Sequence, residues 1–410
     1  MKSIREIFRI GYGPSSSHTM GPRKAAELFL AAHPTAARYQ AHLYGSLSAT
    51  GKGHLTDAAI IDVIPSVEIV WHEEFLPFHP NGMRFCAWDS QENLLDDWTV
   101  YSVGGGALAE ENHEPGAKNK DSLLSTLNSQ ISPEVFPLTR LSDIKDYCES
   151  QGWDYWEYVE HYEGKEIWDY LREVWQVMRE AVERGLDHEG VLPGPLHLRR
   201  KAASYYIKVA AYKDNLRTRG LVFSYALAVS EENASGGKIV TAPTCGSCGV
   251  LPAVLYHTWR SRDFSETRIL HALATAGLIG NIVKENASIS GAEVGCQGEV
   301  GVACAMASAA VNQLFGGTLA QIEYAAEMGL EHHLGMTCDP VCGLVQIPCI
   351  ERNAFAAARA LDSNTYAAFS DGSHRVSFDR VVDVMKETGH DLPSLYKETA
   401  QGGLAKDYKS

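Results

Sequence analysis

Seven of the nine cysteines fall between Cys245 and Cys349, in a stretch repeatedly broken by glycine. That distribution limits what the chain can become. An odd count gathered in one part of a 410-residue chain is not the even, dispersed framework of a disulfide-stapled secreted domain. In a reducing compartment such clustering points instead to metal or redox chemistry. The first residues agree with that setting: Met1 to Pro14 mixes Lys2, Arg5, Glu6 and Arg9 with short apolar stretches and lacks the continuous apolar run of a signal peptide. No apolar run approaches the ~18 residues expected of a membrane span. The expectation is a cytoplasmic enzyme with no membrane partner.

Charge narrows the partners. Lys and Arg number 36 against 51 Asp and Glu, a net charge of −15. Phosphate binding needs a clustered basic surface, so nucleic acid is not expected as a partner. A small anionic substrate stays open, because a local site can oppose the overall charge. With 45% hydrophobic and 21% charged residues the composition is that of a folded globular chain, and its length allows two or three domains.

The expected fold class is an α+β N-terminal domain followed by a larger, mostly α-helical catalytic domain. Residues 1–140 read as the α+β domain, 141–195 as a helical connector, and 196–410 as the all-α domain. Ala25, Leu28, Phe29 and Ala32 share one helix face. Val67–Trp71, Met83–Trp88 and Trp98–Val103 are rich in β-branched and aromatic residues and read as strands, with His79-Pro80-Asn81-Gly82 as the turn between two of them and Gly104-Gly105-Gly106 closing the last. Beyond Leu138, Ile167, Leu171, Val174, Trp175, Met178 and Val182 keep helical spacing. Trp153, Trp156 and Trp168 beside them suit a helix–helix seam better than an aromatic cofactor box. Gly190–Pro195 is a natural break. Val302–Phe315, a run of small apolar residues, suits a buried helix, and Ile322, Ala325, Ala326, Gly329 and Leu330 mark the face of the next.

Two turns have the form of anion sites. Lys238–Val240 enters the loop Thr241-Ala242-Pro243-Thr244-Cys245-Gly246-Ser247-Cys248-Gly249, which runs on into a helix, and Ser16-Ser17-His18-Thr19 precedes a helix of its own. Backbone N–H groups and a helix dipole then point at one place, with hydroxyls adding donors. Simple helix capping explains either turn equally well. A third segment, 286–301, packs four glycines, Glu293, Glu299 and Cys296 into sixteen residues. Cys338-Asp339-Pro340-Val341-Cys342 and Pro348-Cys349 follow. Thiolates on such loops favour metal ligation over core packing. Cys245, Cys248, Cys338 and Cys342 approach zinc spacing, and Cys245/Cys248 have the spacing of a redox pair. Spacing alone leaves zinc, iron–sulfur and free thiols open.

The strings SSSHTMGP (15–22), HPNGMRF (79–85), YSVGGG (101–106), TAPTCGSCGVLPAVL (241–255), NASISGAEVGCQGEVG (286–301), EHHLGMTCDPV (331–341) and PCIERNA (348–354) occur in an order that resembles the iron–sulfur-dependent bacterial L-serine dehydratases, also called L-serine ammonia-lyases. The likeness runs from about residue 3 to about residue 404, in the form that fuses the β and α regions. It implies a [4Fe–4S] cluster held by Cys296, Cys338 and Cys349. Relatives often carry other residues at the positions of Cys245 and Cys342, and Cys304 and Cys86 read as buried small hydrophobes. Fused relatives commonly end in a cysteine that folds back onto the cluster, and residues 402–410 contain none. The expectation is therefore a fourth iron open to water and substrate, one met by Cys245, Cys248 or Cys342, or a natural C-terminus that runs further than this sequence.

The reaction so implied removes water from serine, releasing aminoacrylate that becomes pyruvate and ammonia. His18 is the expected base. Ser16, Ser17, Thr19, Thr241, Thr244 and Asn286 are the expected contacts to the substrate's carboxylate or amino group. Glu293, Glu299 and His332 are placed as orienting or proton-buffering groups or simply as buried pairs, and Arg352 as a charge neutraliser or a structural ion pair. Three other readings stand beside this one: a sister iron–sulfur lyase acting on cysteine or threonine, a pyridoxal-phosphate dehydratase using Lys238, and a zinc-binding regulatory protein. A small-molecule amino-acid substrate, a homodimer and a regulatory contribution from the N-terminal domain complete the expectations.

Overall fold

The computed structural model describes residues 1–103, 105–111 and 134–408. Gly104, one of the three glycines expected to close the last strand, lies outside them. The chain forms an N-terminal α/β region followed by a mostly helical one, as the sequence leads one to expect.

The N-terminal region is built on a five-stranded sheet. Its strands are β2 (Arg38–Leu43), β3 (Val67–Trp71), β4 (Gly82–Trp88), β5 (Leu94–Val103) and β6 (Ala107–Ala109), in the order β3-β2-β4-β5-β6. Only β2 and β3 run parallel. The residues between them form α2 (Ser46–Thr50) and α3 (Thr56–Val63), the crossover that a parallel pair needs. The expected turn at His79–Gly82 does lead into β4, but β3 and β4 are not partners, because β2 lies between them.

One sheet face is apolar. Tyr39, Ala41 and Leu43 alternate along β2 and meet Met83, Phe85, Ala87, Trp98 and Val100. Ala25, Ala26 and Phe29 of α1 (Gly21–Ala32) and Ile60 and Ile64, in and just after α3, cover that face. Phe29 stacks nearly parallel to Trp98, with centroids 6.2 Å apart.

The helical region runs through α4 (Leu141–Gln151), α5 (Tyr155–Glu163), α6 (Ile167–Asp187), α7 (Ala202–Val209), α8 (Asp214–Ala234), α9 (Val250–Arg262), α10 (Glu266–Asn286), the single turn α11 (Gly291–Val294), α12 (Val300–Leu314), α13 (Leu319–Glu331), α14 (Cys349–Ala368) and α15 (Phe378–Asp391). At its centre α12 is buried almost throughout. Its alanines and glycine let neighbours come close: a Cβ on Gly329 of α13 would stand 2.9 Å from the Cα of Ala305. Trp156 stacks on His271 at 3.7 Å, part of the expected helix–helix seam. Among the described residues no single helix is long and apolar enough to cross a membrane, and α12 passes that test only with the preceding Gly291–Gly298, across a 44° bend.

The first dozen residues cross to the helical region. Met1, Ile4, Ile7 and Phe8 are buried in its core, and β1 (Ile10–Tyr12) pairs antiparallel with β7 (Lys238–Val240). This crossing brings the turn at Ser15–Thr19 to the seam between the two regions.

Candidate active site

Ser16–Met20 winds as one π-helical turn locked by its own side chains. Ser15 Oγ accepts from the His18 amide at 3.1 Å, and Thr19 Oγ1 accepts from the Ser15 amide at 3.1 Å. The turn is also pinned to the α2–α3 crossover, where Thr19 Oγ1 donates to the His54 carbonyl (2.7 Å) and Thr56 Oγ1 donates to that of His18 (2.6 Å).

These bonds fix the His18 imidazole, which is fully buried. Its Nδ1 lies 2.9 Å from Ser17 Oγ and its Nε2 3.0 Å from Ser46 Oγ at the start of α2. Burial pushes its pKa down to about 4, so it is neutral near pH 7. His54 lies beside it, with ring centroids 4.5 Å apart, and burial pushes its pKa down as well. His54 sits in the featureless run Gly53-His54-Leu55, with no local signal to single it out.

The opposite wall comes from the C-terminal segment. Glu398 Oε1 lies 3.4 Å from both Ser17 Oγ and His18 Nδ1. Burial pushes this carboxyl up to about 7, against the lowering effect of the Ser17 hydrogen bond and His79. The segment is tied down on both sides of Glu398: the Cys338 amide donates to the Tyr396 carbonyl (2.8 Å), and the Thr399 amide to that of Cys338 (3.2 Å). Further along, the Leu404 amide donates to Asp339 Oδ2 at 2.7 Å. A cleft of about 780 Å³ opens here between α2 and the C-terminal segment, lined by Ser46, Thr50, Lys397 and Glu398 among others.

The three cysteines of the expected cluster meet next to this wall. Cys296 and Cys338 are buried. The Cys296 and Cys338 thiols interact, which holds Cys296 below the ordinary thiol value and, together with burial, holds Cys338 above it. Cys349, partly exposed at the start of α14, is pushed up by desolvation first and then by the charge of Cys296. Arg352, one turn further, carries its charge beside Cys296 and donates to the Thr337 carbonyl at 2.6 Å. Burial works against its charge, and the two thiols more than offset that.

Glu299 joins the two halves. Thr244 Oγ1 donates to its Oε1 (2.8 Å), and Cys338 Sγ stands 3.7 Å from its Oε2. Burial, then the charge of Glu398, pushes its carboxyl up to about 7. Gly291 leaves the space that this cradle needs, since a Cβ there would meet Glu299 Oε2 at 2.7 Å and Cys338 Sγ at 3.1 Å. Asn353 fastens the Thr244–Gly249 loop to α14, accepting from the Gly249 amide (2.9 Å) and donating to the carbonyls of Gly246 (2.7 Å) and Cys349 (2.8 Å).

Other expected residues have further partners. Thr241 Oγ1 donates to the Ile7 carbonyl (2.7 Å) and accepts from the Arg9 amide (2.8 Å), which spends its hydroxyl on the β1–β7 junction. Asn286 donates to the carbonyls of Thr139 and Ile282. Glu293 pairs with His79 at 3.7 Å, and that pairing, with the Ser288 hydroxyl, holds it below the usual carboxylate range. His332 is half exposed and pairs with Glu331 on the surface at 2.7 Å. Cys304 and Cys86 are buried.

Among the described residues, no three His, Cys, Asp or Glu side chains gather tightly enough to hold a single metal ion. The set Cys245, Cys248, Cys338 and Cys342 is therefore not assembled for zinc. An iron–sulfur cube asks for something different, because each thiolate binds its own corner. Two interacting thiols, a third within their field, a guanidinium beside them and the side-chain-free Gly291 against Cys338 fit such a group.

Family models for the serine dehydratase beta chain match residues 3–64 and 61–113, and the one for the serine dehydratase alpha chain matches residues 89–405. The chain belongs to the serine dehydratase family. It is 42% identical to the L-serine dehydratase TdcG of Escherichia coli strain K12 over 99% of each chain. It is 39% identical to the L-serine dehydratase of Haemophilus influenzae, again over 99% of each, and 40% identical to that of Streptomyces coelicolor over 98% of each. Members of this family are lyases, so the chain is an enzyme of that kind. Each expected cluster ligand lies within the part of the chain matched by the alpha-chain model.

Proposed function

We propose that the chain is an L-serine ammonia-lyase, converting L-serine to pyruvate and ammonia with a [4Fe–4S] cluster on Cys296, Cys338 and Cys349. The observation that carries this reading is the convergence of those thiols with Glu299 and Glu398, the latter 3.4 Å from the neutral His18. When bound, the cluster would supply a Lewis acid that weakens the bond to the departing β-hydroxyl.

The chain's own residues do the rest. The Cα proton of serine needs a base that is unprotonated at neutral pH, and burial keeps the His18 imidazole in that form. Once His18 is protonated, Glu398 stabilises the cation across 3.4 Å. His54 Nδ1, 3.1 Å from Thr50 Oγ1, orients a second neutral imidazole against it. Ser16 and Ser17 offer hydroxyls to the substrate's carboxylate and amino group, while Thr244 holds Glu299 and Thr19 holds the turn in shape. The proton taken from Cα passes to the departing hydroxide, which leaves as water. The aminoacrylate tautomerises and takes up water to give pyruvate and ammonia.

The test is anaerobic purification, with formation of the 2-oxo acid assayed on L-serine, L-threonine and L-cysteine (pyruvate from serine and cysteine, 2-oxobutyrate from threonine). Pyruvate from L-serine together with bound iron and sulfide is the expected result. Iron-free protein that turns L-serine over, or iron- and sulfide-loaded protein that does not, would sink the reading. We place the enzyme in the cytoplasm, a reducing compartment that suits its nine free thiols.

A further inference from the structure

A second cleft, of about 710 Å³, lies between the C-terminal halves of α13 and α14 and the loop before α15, and contains none of the proposed catalytic groups. Its floor is Glu327, only 6% exposed. Among the described residues Glu327 has no hydrogen-bond or ion-pair partner, although it lines the cleft. Burial and the neighbouring carboxylates Glu331 and Glu323 push it up to about 7. Those neighbours are already engaged, Glu331 with His332 and Glu323 with Lys145 and His374. A buried carboxyl without a partner costs stability, and an incoming cation would offset that cost.

The rim adds two cations beside the acids Glu331 and Asp362, which pair with His332 and Arg219. Arg359 and Arg375 line the same cleft, and among the described residues neither has an ion-pair or hydrogen-bond partner. The walls are aromatic: Tyr324 stacks on His374 at 4.6 Å and meets Tyr366 edge-on at 6.0 Å. A metal ion does not suit this donor set, since no three side chains gather around one point. A simple anion would leave Glu327 uncompensated, and a simple amine would leave both guanidinium groups idle. We propose that this cleft binds the zwitterion of a small α-amino acid, with its ammonium on Glu327 and its carboxylate on Arg359. Arg presents paired donors that match a carboxylate, and Glu327 supplies a charge-assisted acceptor for the ammonium.

The test is calorimetric titration of the full chain with L-alanine, which carries the zwitterion but no β-hydroxyl to lose. Three variants are compared with wild type: Glu327→Gln, Arg359→Met and, as a control in the proposed catalytic site, His18→Ala. The cleft predicts a binding event that His18→Ala retains and that both Glu327→Gln and Arg359→Met weaken tenfold or more. Methylammonium or acetate alone should bind at least tenfold more weakly than L-alanine. Arg359 is exposed, so its variant is decisive if Glu327→Gln fails to fold. No binding to His18→Ala, binding untouched by Arg359→Met, or equal binding of either half-probe would overturn the proposal. Binding heat requires neither turnover nor a cluster, so this test and the catalytic reading fail separately.

Discussion

Glu398 and His18, from opposite ends of the chain, place a carboxylate oxygen 3.4 Å from an imidazole nitrogen in a buried site. Removing that charge while keeping the shape should weaken the base. Glu398→Gln is expected to lower kcat by roughly tenfold to a hundredfold, the scale of a lost hydrogen bond to a charged group. Iron content should hold. Steady-state kinetics with parallel iron analysis checks both, and an unchanged kcat would remove Glu398 from the mechanism.

The two histidines should differ from their neighbours in kind. His18→Ala and His54→Ala should each lose roughly a hundredfold or more in kcat, the usual worth of positioned proton transfer. Their melting temperatures should change little beside that loss. His332→Ala, on the surface, should keep wild-type rates. Equal losses at all three positions would mean that the assay reads folding rather than chemistry.

Asn353 predicts a stability effect. It satisfies one donor and two acceptors on two separate elements, so Asn353→Ala leaves the buried Gly249 amide without its partner. Unfolding by urea should become easier by about 1–3 kcal/mol. A midpoint equal to wild type would show that the loop and α14 hold together without it.

Acid should destabilise the fold through its buried histidines. Burial pushes His257 and His333 down to about 4 from an ordinary 6.5. Below pH 6.5 the unfolded chain takes up protons that the folded chain refuses, so their contribution is intact above 6.5 and is lost as pH falls toward 4. The loss amounts to roughly 3 kcal/mol for each at most. Urea midpoints measured between about pH 7.5 and 5 should fall, and His257→Gln should flatten the slope. A slope unchanged by that substitution would refute the assignment.

The sequence made some parts legible for clear reasons. Val67–Trp71 became β3 to the residue, because a β-branched and aromatic run between turn residues has few other uses. Val302–Phe315 read as a buried helix because only small apolar side chains allow such close approach. Strand β2 escaped notice, since Tyr39, Ala41 and Leu43 alternate over just six residues beside ordinary polar ones. Missing it also made β3 and β4 look like neighbours. In the site, the Ser-rich turn was visible as local chemistry. His54 and Glu398 were not, because their roles come from distant segments meeting. Thr241 and Asn286 also donate to distant carbonyls, of Ile7 and Thr139, which local spacing does not reveal.

The central claim is that Cys296, Cys338 and Cys349 hold one iron–sulfur cube. Iron and acid-labile sulfide, counted per chain in anaerobically purified protein, test it most directly when wild type is set beside Cys296→Ala, Cys338→Ala, Cys349→Ala and Cys342→Ala. The account predicts about four of each in wild type and in Cys342→Ala, and a clear loss of both in the other three. Wild-type protein carrying zinc without sulfide, or a full complement surviving in any of those three variants, would contradict it.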